Sequence, residues 1–239
     1  ARVGDVNGDG FADFVVGARG TDVNFNKTGS VSCLSGADAS VIWTADGDAK
    51  GDQFGSAADA AGDVNGDGIG DVIASAFLHD TNGVSAGMAR VLSGVDGSTI
   101  HTFYGPAQDD YFGRSVGGGG DLDGDGFDDV LVGMNNENQS GAGRGLVWAF
   151  SGATGAVLWT VAGDNDHDML GNGVDNIGDT NGDGLDECVA SGQQYDPLGP
   201  GNGVVRCYDP SGTPPPPPPD WGNLPTTFVA IGSGFADDF

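Results

Sequence analysis

The nine-residue stretch Asp5-Val6-Asn7-Gly8-Asp9-Gly10-Phe11-Ala12-Asp13 returns three times, and the copies begin at Asp63, Asp121 and Asp179, always 58 residues apart. A fixed period means one supersecondary unit used repeatedly, which confines the fold to solenoids, propellers or linear arrays. The period extends beyond the loop. Phe54-Gly55, Phe112-Gly113 and Leu170-Gly171 precede the later copies by one interval. Ser35-Gly36, Ser93-Gly94 and Ser151-Gly152 keep step downstream, with Asp209-Pro210 in the fourth place. Trp43, His101 and Trp159 form another column. The units occupy about residues 1–52, 53–110, 111–168 and 169–212.

The second unit shows what each one folds into. Phe54 to Ala58 reads as a short strand, and the loop follows from Asp63 to Asp71. Val72 to Ala76 is an unbroken apolar run, as in a strand buried on both faces. Met88 to Leu92 is a third strand, the turn Ser93 to Gly97 closes it, and Ser98 to Tyr104 alternates as a fourth. Four short antiparallel strands with a turn every few residues describe a propeller blade. No segment has a 3.6-residue period, and 46 glycines argue against long helices.

Loop positions 1, 3 and 5 set three side-chain oxygens along a tight turn, and glycine at positions 4 and 6 lets the backbone curl. Position 7 offers a carbonyl and position 9 a last carboxylate. Oxygen donors at this density suit Ca²⁺ with ~6–8 ligands, whereas Mg²⁺ keeps its waters. An EF-hand begins the same way but needs Glu at position 12, where this chain has Val16, Ala74, Val132 and Ala190.

Phe-Gly followed by Gly-Asp-x-Asn-Gly-Asp-Gly-x-x-Asp and a short apolar strand resembles the FG-GAP repeat of integrin α-chain propellers and of many secreted bacterial proteins. The resemblance implies an all-β propeller-type array of four blades, with about four Ca²⁺ ions in the loops joining first and second strands. By position the implied ligands are Asp5, Asn7, Asp9, Phe11 and Asp13, then Asp63, Asn65, Asp67, Ile69 and Asp71. In the later units they are Asp121, Asp123, Asp125, Phe127 and Asp129, then Asp179, Asn181, Asp183, Leu185 and Glu187. Glu187 departs from the family's Asp by one methylene.

A run of prolines from Pro214 to Pro219 interrupts the fourth unit. It reads as a linker or enlarged turn over 213–225. Residues 226–239 then resemble a fourth strand and the lead into a new blade, so they are expected to complete a blade in the same chain or in a neighbouring subunit.

The formal charge of −27 excludes nucleic acid and anionic membranes as natural partners. No run of 18 apolar residues exists, so no membrane-inserted helix is expected. The sequons at Asn26 and Asn138 fit a secreted or cell-surface chain. Cys188 and Cys207 fall on consecutive strands, which leaves open either a disulfide or, with Cys33, three buried thiols. No catalytic constellation is evident, since His79, His101 and His167 occupy unrelated repeat positions. The expected function is a non-catalytic, calcium-stabilised, extracellular structural or adhesive propeller that self-associates or meets another extracellular protein or glycan. The alternatives are a carbohydrate- or protein-binding module using Tyr104, Tyr111, Tyr195 and Trp221, or an accessory part of a larger secreted enzyme.

Overall fold

A computed structural model describes residues 1–21, 28–136, 143–193 and 203–211. Asn26, Asn138, Tyr195, Trp221, the proline run and the tail 226–239 lie outside them. Among the described residues the chain is all-β, with fifteen strands and no helix. Four antiparallel sheets follow one another. The first holds β1 (Arg2–Gly4), β2 (Asp13–Ala18), β3 (Ser30–Leu34) and β4 (Val41–Asp46), and the second β5 (Ala58–Gly62), β6 (Asp71–Ala76), β7 (Met88–Leu92) and β8 (Thr99–Tyr104). The third holds β9 (Phe112–Gly120), β10 (Asp129–Met134), β11 (Leu146–Phe150) and β12 (Val157–Ala162). The fourth has three described strands, β13 (Gly173–Gly178), β14 (Glu187–Gly192) and β15 (Val204–Tyr208). Strands pair strictly in chain order within each sheet.

The cores lie between sheets. Trp43 and Val31 of the first pack with Phe54, Val72 and Met88 of the second unit. Phe103 and Ile73 of the second pack with Phe112, Val132 and Phe150 of the third. Leu131 and Val147 of the third pack with Leu170, Cys188 and Tyr208 of the fourth. A middle strand therefore faces apolar neighbours on both sides, and β6 and β10 are buried at every residue. This is why the second strands carry no polar alternation.

The expected strand Phe54 to Ala58 is not what forms. β5 begins at Ala58, and Phe54-Gly55 instead bridges back to the preceding sheet. Phe54 N–H donates to Thr28 O at 2.9 Å, and Phe112 and Leu170 repeat the bond to Ala86 and Arg144 at 3.0 Å. The motif is thus a latch between sheets. Gly29, Gly87 and Gly145 sit opposite, where an added Cβ would come within 2.5 Å or so of a backbone atom.

The Trp43 and His101 column is a second tie. Trp43 Nε1 donates to Gly94 O of the next sheet at 2.7 Å, and His101 Nε2 meets Gly152 O at 2.7 Å. The rings lie on the turn glycines Gly97 and Gly155. Gly97 has φ +73°, and a Cβ there would fall 2.7 Å from the Trp43 ring. Gly97→Ala should therefore cost about 2–4 kcal/mol, from left-handed strain plus overpacking. Gly20→Ala, with nothing within 4 Å of its added Cβ, should stay within about 0.5 kcal/mol. Urea unfolding of the two variants measures the difference.

The cysteines settle as thiols: Cys33, Cys188 and Cys207 are all free. Cys188 pairs across the ladder with Tyr208, and Cys207 with Val189. A one-residue offset on neighbouring strands points the two side chains to opposite sheet faces, so the disulfide is ruled out by register.

Candidate metal centres

A bulge builds every loop. Ala60 pairs with Val72 and Gly62 with Asp71, so one residue of β5 is skipped just before the loop. The same shift occurs before Gly4, Gly120 and Gly178. Loop position 1 thus follows the end of the first strand closely, and position 9 opens the second strand in all four sheets. A bulge of this kind re-aims side chains at a strand end.

Inside the loops the backbone turns its N–H groups onto the side-chain oxygens. Asp5 accepts from Gly8, Asp9 and Gly10 at 2.8–3.0 Å, Asn7 Oδ1 from Asp9 N at 2.9 Å, and Asp9 Oδ1 from Phe11 N at 2.9 Å. Asp63, Asp121 and Asp179 repeat the pattern with the glycines at positions 4 and 6. Those glycines have φ between +74° and +95°. The left-handed conformation is what points successive N–H groups inward.

Position 9 has a second task. Asp13, Asp71 and Asp129 are fully or almost fully buried. Asp129 Oδ2 accepts from Leu122 N at 2.8 Å and Oδ1 from Gly152 N at 2.9 Å, tying the loop to the turn after the third strand. Asp13 and Asp71 make the same pair of bonds, to Val6 and Gly36 and to Val64 and Gly94. Burial pushes the Asp129 carboxyl up to about 7 and Asp71 up to about 6, against the pull of those N–H donors. A cation in the loop would act in the opposite sense, since an adjacent positive charge favours the ionised form.

The fourth loop shows why Glu replaces Asp. The Gly donor of the other units is here Pro210, which has no N–H. Glu187 reaches further and bonds within the loop instead, to Thr180 N and Oγ1 and to Asn181 Nδ2. Asp209, in the place of the serine column, accepts from Asn181 Nδ2 at 3.0 Å and so brings another carboxylate beside this loop.

Two groups of carboxylates converge: Asp121, Asp123 and Asp129, and Asp179, Asp183 and Glu187, with one oxygen from each residue within 4.8 Å of the others. Oxygens on opposite sides of a calcium ion stand about 4.6–5.2 Å apart, so both groups have the span and the donor chemistry for a metal ion. The first two loops do not form such a group of carboxylates, and Asn at position 3 is not the reason, since Asn181 holds it in the fourth. Sequence reasoning missed Asp128 and Asp186 at position 8. Asp128 accepts from Asp63 N at 2.7 Å, and Asp186 N donates to Asp121 O at 2.9 Å, joining each loop to its predecessor. The only available signal was that Ala12 and Gly70 hold this position in the first two units.

Of the other residues singled out, Tyr104 is exposed at the end of β8 and Tyr111 lines a cavity at the opposite end of the second strands from the loops. His79 is buried with its Nε2 3.7 Å from Asp52. No helix is long and apolar enough to cross a membrane among the described residues.

Among solved structures, a rhamnogalacturonan lyase of Bacillus licheniformis aligns over 84% of this chain at 19% identity, with a TM-score of 0.49. The exotype rhamnogalacturonan lyase YesX gives 84%, 16% and 0.49, and the V. cholerae biofilm matrix protein Bap1 gives 88%, 20% and 0.40. The alignments span 41%, 40% and 37% of those chains, so this chain corresponds to well under half of each. No curated protein sequence matches it. The FG-GAP repeat family model matches residues 1–32 and 112–150, which fall in the first and third units. The chain therefore carries FG-GAP repeats in its first and third units, and the 58-residue period places the same loop in the second and fourth.

Proposed function

We propose that this chain is a calcium-stabilised, non-catalytic β-propeller module of an extracellular structural or adhesive protein. The observation that carries the reading is the convergence of Asp121, Asp123 and Asp129, and of Asp179, Asp183 and Glu187, at matching places in a fourfold repeated loop. Four ions are proposed, one per loop, because all four loops share the backbone cradle. In each site the ligands would be the side chains at positions 1, 3, 5 and 9 with the position-7 carbonyl, namely Phe11, Ile69, Phe127 or Leu185. The ion would supply the charge that acidic loops lack. Millimolar extracellular calcium fills even modest sites.

The blade arrangement is supported by the neighbours of the first strands. β1 lies beside β5, β5 beside β9 and β9 beside β13, so the first strands gather on one side of the array. Self-association is part of the proposal. Among the described residues the fourth sheet has three strands where the others have four, and a strand edge is a template for addition. Residues 226–239 are the proposed added strand, in the same chain or the next.

Electron microscopy of the full chain in calcium, beside a chain ended after Ser211, tests the assembly. Filaments from the full chain alone support strand exchange between subunits. The same particles from both chains would overturn it.

A further inference from the structure

We infer that the cavity lined by Phe77, Tyr111, Arg114, Asn135, Asn136 and Met169 binds an acidic sugar, a uronic acid unit of a polysaccharide. The cavity measures about 370 Å³. This lies within the usual range of small-ligand sites, roughly 300–1,000 Å³. It goes beyond the calcium reading and does not depend on it. Phe77 follows the last residue of β6, whereas the loops precede its first, so the two features occupy opposite ends of the same strands.

The first argument is a break in the repeat. The three latch and loop columns hold nearly the same residues in every unit. The cavity columns do not. Phe77 stands where the other units have Arg19, Asn135 and Gln193; Tyr111 where they have Gln53 and Met169; Arg114 where they have Ser56 and Asn172. The aromatic pair thus enters once, and an arginine occupies the Arg114 column once, at one place in a scaffold that does without them in the other units.

The second argument is chemical. Arg90, Arg144 and Arg206 each have a carboxylate partner. Arg114 is exposed and has no ion pair among the described residues, although the chain carries 35 acidic residues. Its guanidinium is held 5.4 Å above the Phe77 ring, and Phe77 meets Tyr111 edge to face at 6.1 Å. A planar guanidinium fixed on an aromatic face keeps its fork for a bidentate carboxylate. Among the described residues, the neighbouring acids Asp109 and Asp110 have other partners: Asp109 accepts from Gln108 Nε2 at 3.1 Å, and Asp110 from Ala107 N at 3.0 Å.

The walls suit the rest of a sugar. Asn135 Nδ2 donates to Asn172 Oδ1 at 3.2 Å and Asn136 Nδ2 to Asp109 O at 2.7 Å, which orients both amides while each keeps further capacity for hydroxyl groups. Phe77, Tyr111 and Met169 supply apolar surface for the C–H face of a pyranose ring. Tyr111 and Met169 sit at positive φ, 56° and 53°, as Gln53 of the same column does at 58°, so the repeat sets the backbone on which these side chains are mounted.

The test is calorimetric titration of the full chain in calcium with trigalacturonate, its neutral trigalactose counterpart and inorganic phosphate. Trigalacturonate should bind at least about tenfold more tightly than the neutral sugar, and phosphate should not displace it. Arg114→Met should remove that preference with an unchanged melting temperature, because the side chain is exposed. Phe77→Leu should weaken the acidic sugar while leaving a residual preference for charge. Equal binding of neutral and acidic sugar, no binding of either, displacement by phosphate, or an Arg114→Met protein that binds as before would each overturn the inference.

Discussion

Chelation with EDTA should lower the melting temperature of this protein by roughly 10–20 °C if only the two loops with converging carboxylates bind calcium, and by more if all four do. A ligand at 100 times its dissociation constant stabilises the folded state by about 2.7 kcal/mol per site. In a chain of this size each kcal/mol moves the midpoint by roughly 2–4 °C. The effect is large because the loops are acidic before any ion enters. Loop 3 places Asp121, Asp123, Asp125 and Asp129 within nine residues. Adding back calcium should restore the curve at lower concentration than magnesium does, since the loops offer many oxygens and a flexible cage. Superimposable melting curves with and without EDTA would remove calcium from the proposed function.

A second result separates the two tasks of position 9. Asp129→Ala should destabilise the protein by about 2–6 kcal/mol in EDTA as well as in calcium. It strips the partner from two N–H groups, Leu122 and Gly152, beside a core residue. A buried donor left unsatisfied costs about 1–3 kcal/mol. Asp123→Ala is the contrast. Asp123 is exposed and accepts one local bond, from Asp125 N. Its loss should matter in calcium and vanish in EDTA. If both variants lost stability only in calcium, the buried carboxylate would be a ligand and not a structural tie.

The loops were legible in the sequence because their chemistry is local. Nine residues carry the oxygens, the two glycines and the strand that follows, and the fourfold copy fixes the register. Whatever acts between units was harder to read. Phe54-Gly55 looked like the start of a strand, since its partner Thr28 lies in the previous unit and nothing in the residues marks a backbone carbonyl as an acceptor. Asp128 carries no local signal for the same reason: its oxygen serves Asp63 N, 65 residues away. The exchange of Asp for Glu at position 9 looked like a lone departure. It makes sense beside Pro210, and only once Gly152 N–H is seen on Asp129. The unusual cavity residues were visible as exceptions to a column, but their meeting point was not.

The latch of Phe54, Phe112 and Leu170 rests on backbone acceptors in the preceding unit. A joint made from peptide groups asks one thing of its partner's side chains at that point, that a glycine stand opposite. Where the apolar faces between sheets also match, one unit of this design can follow another, and a gene for it can lengthen or shorten by whole 58-residue steps while the backbone joint stays the same. Selection is then free to specialise one unit's rim at a time, and the array is a set of interchangeable mounts on which separate surfaces can be tried.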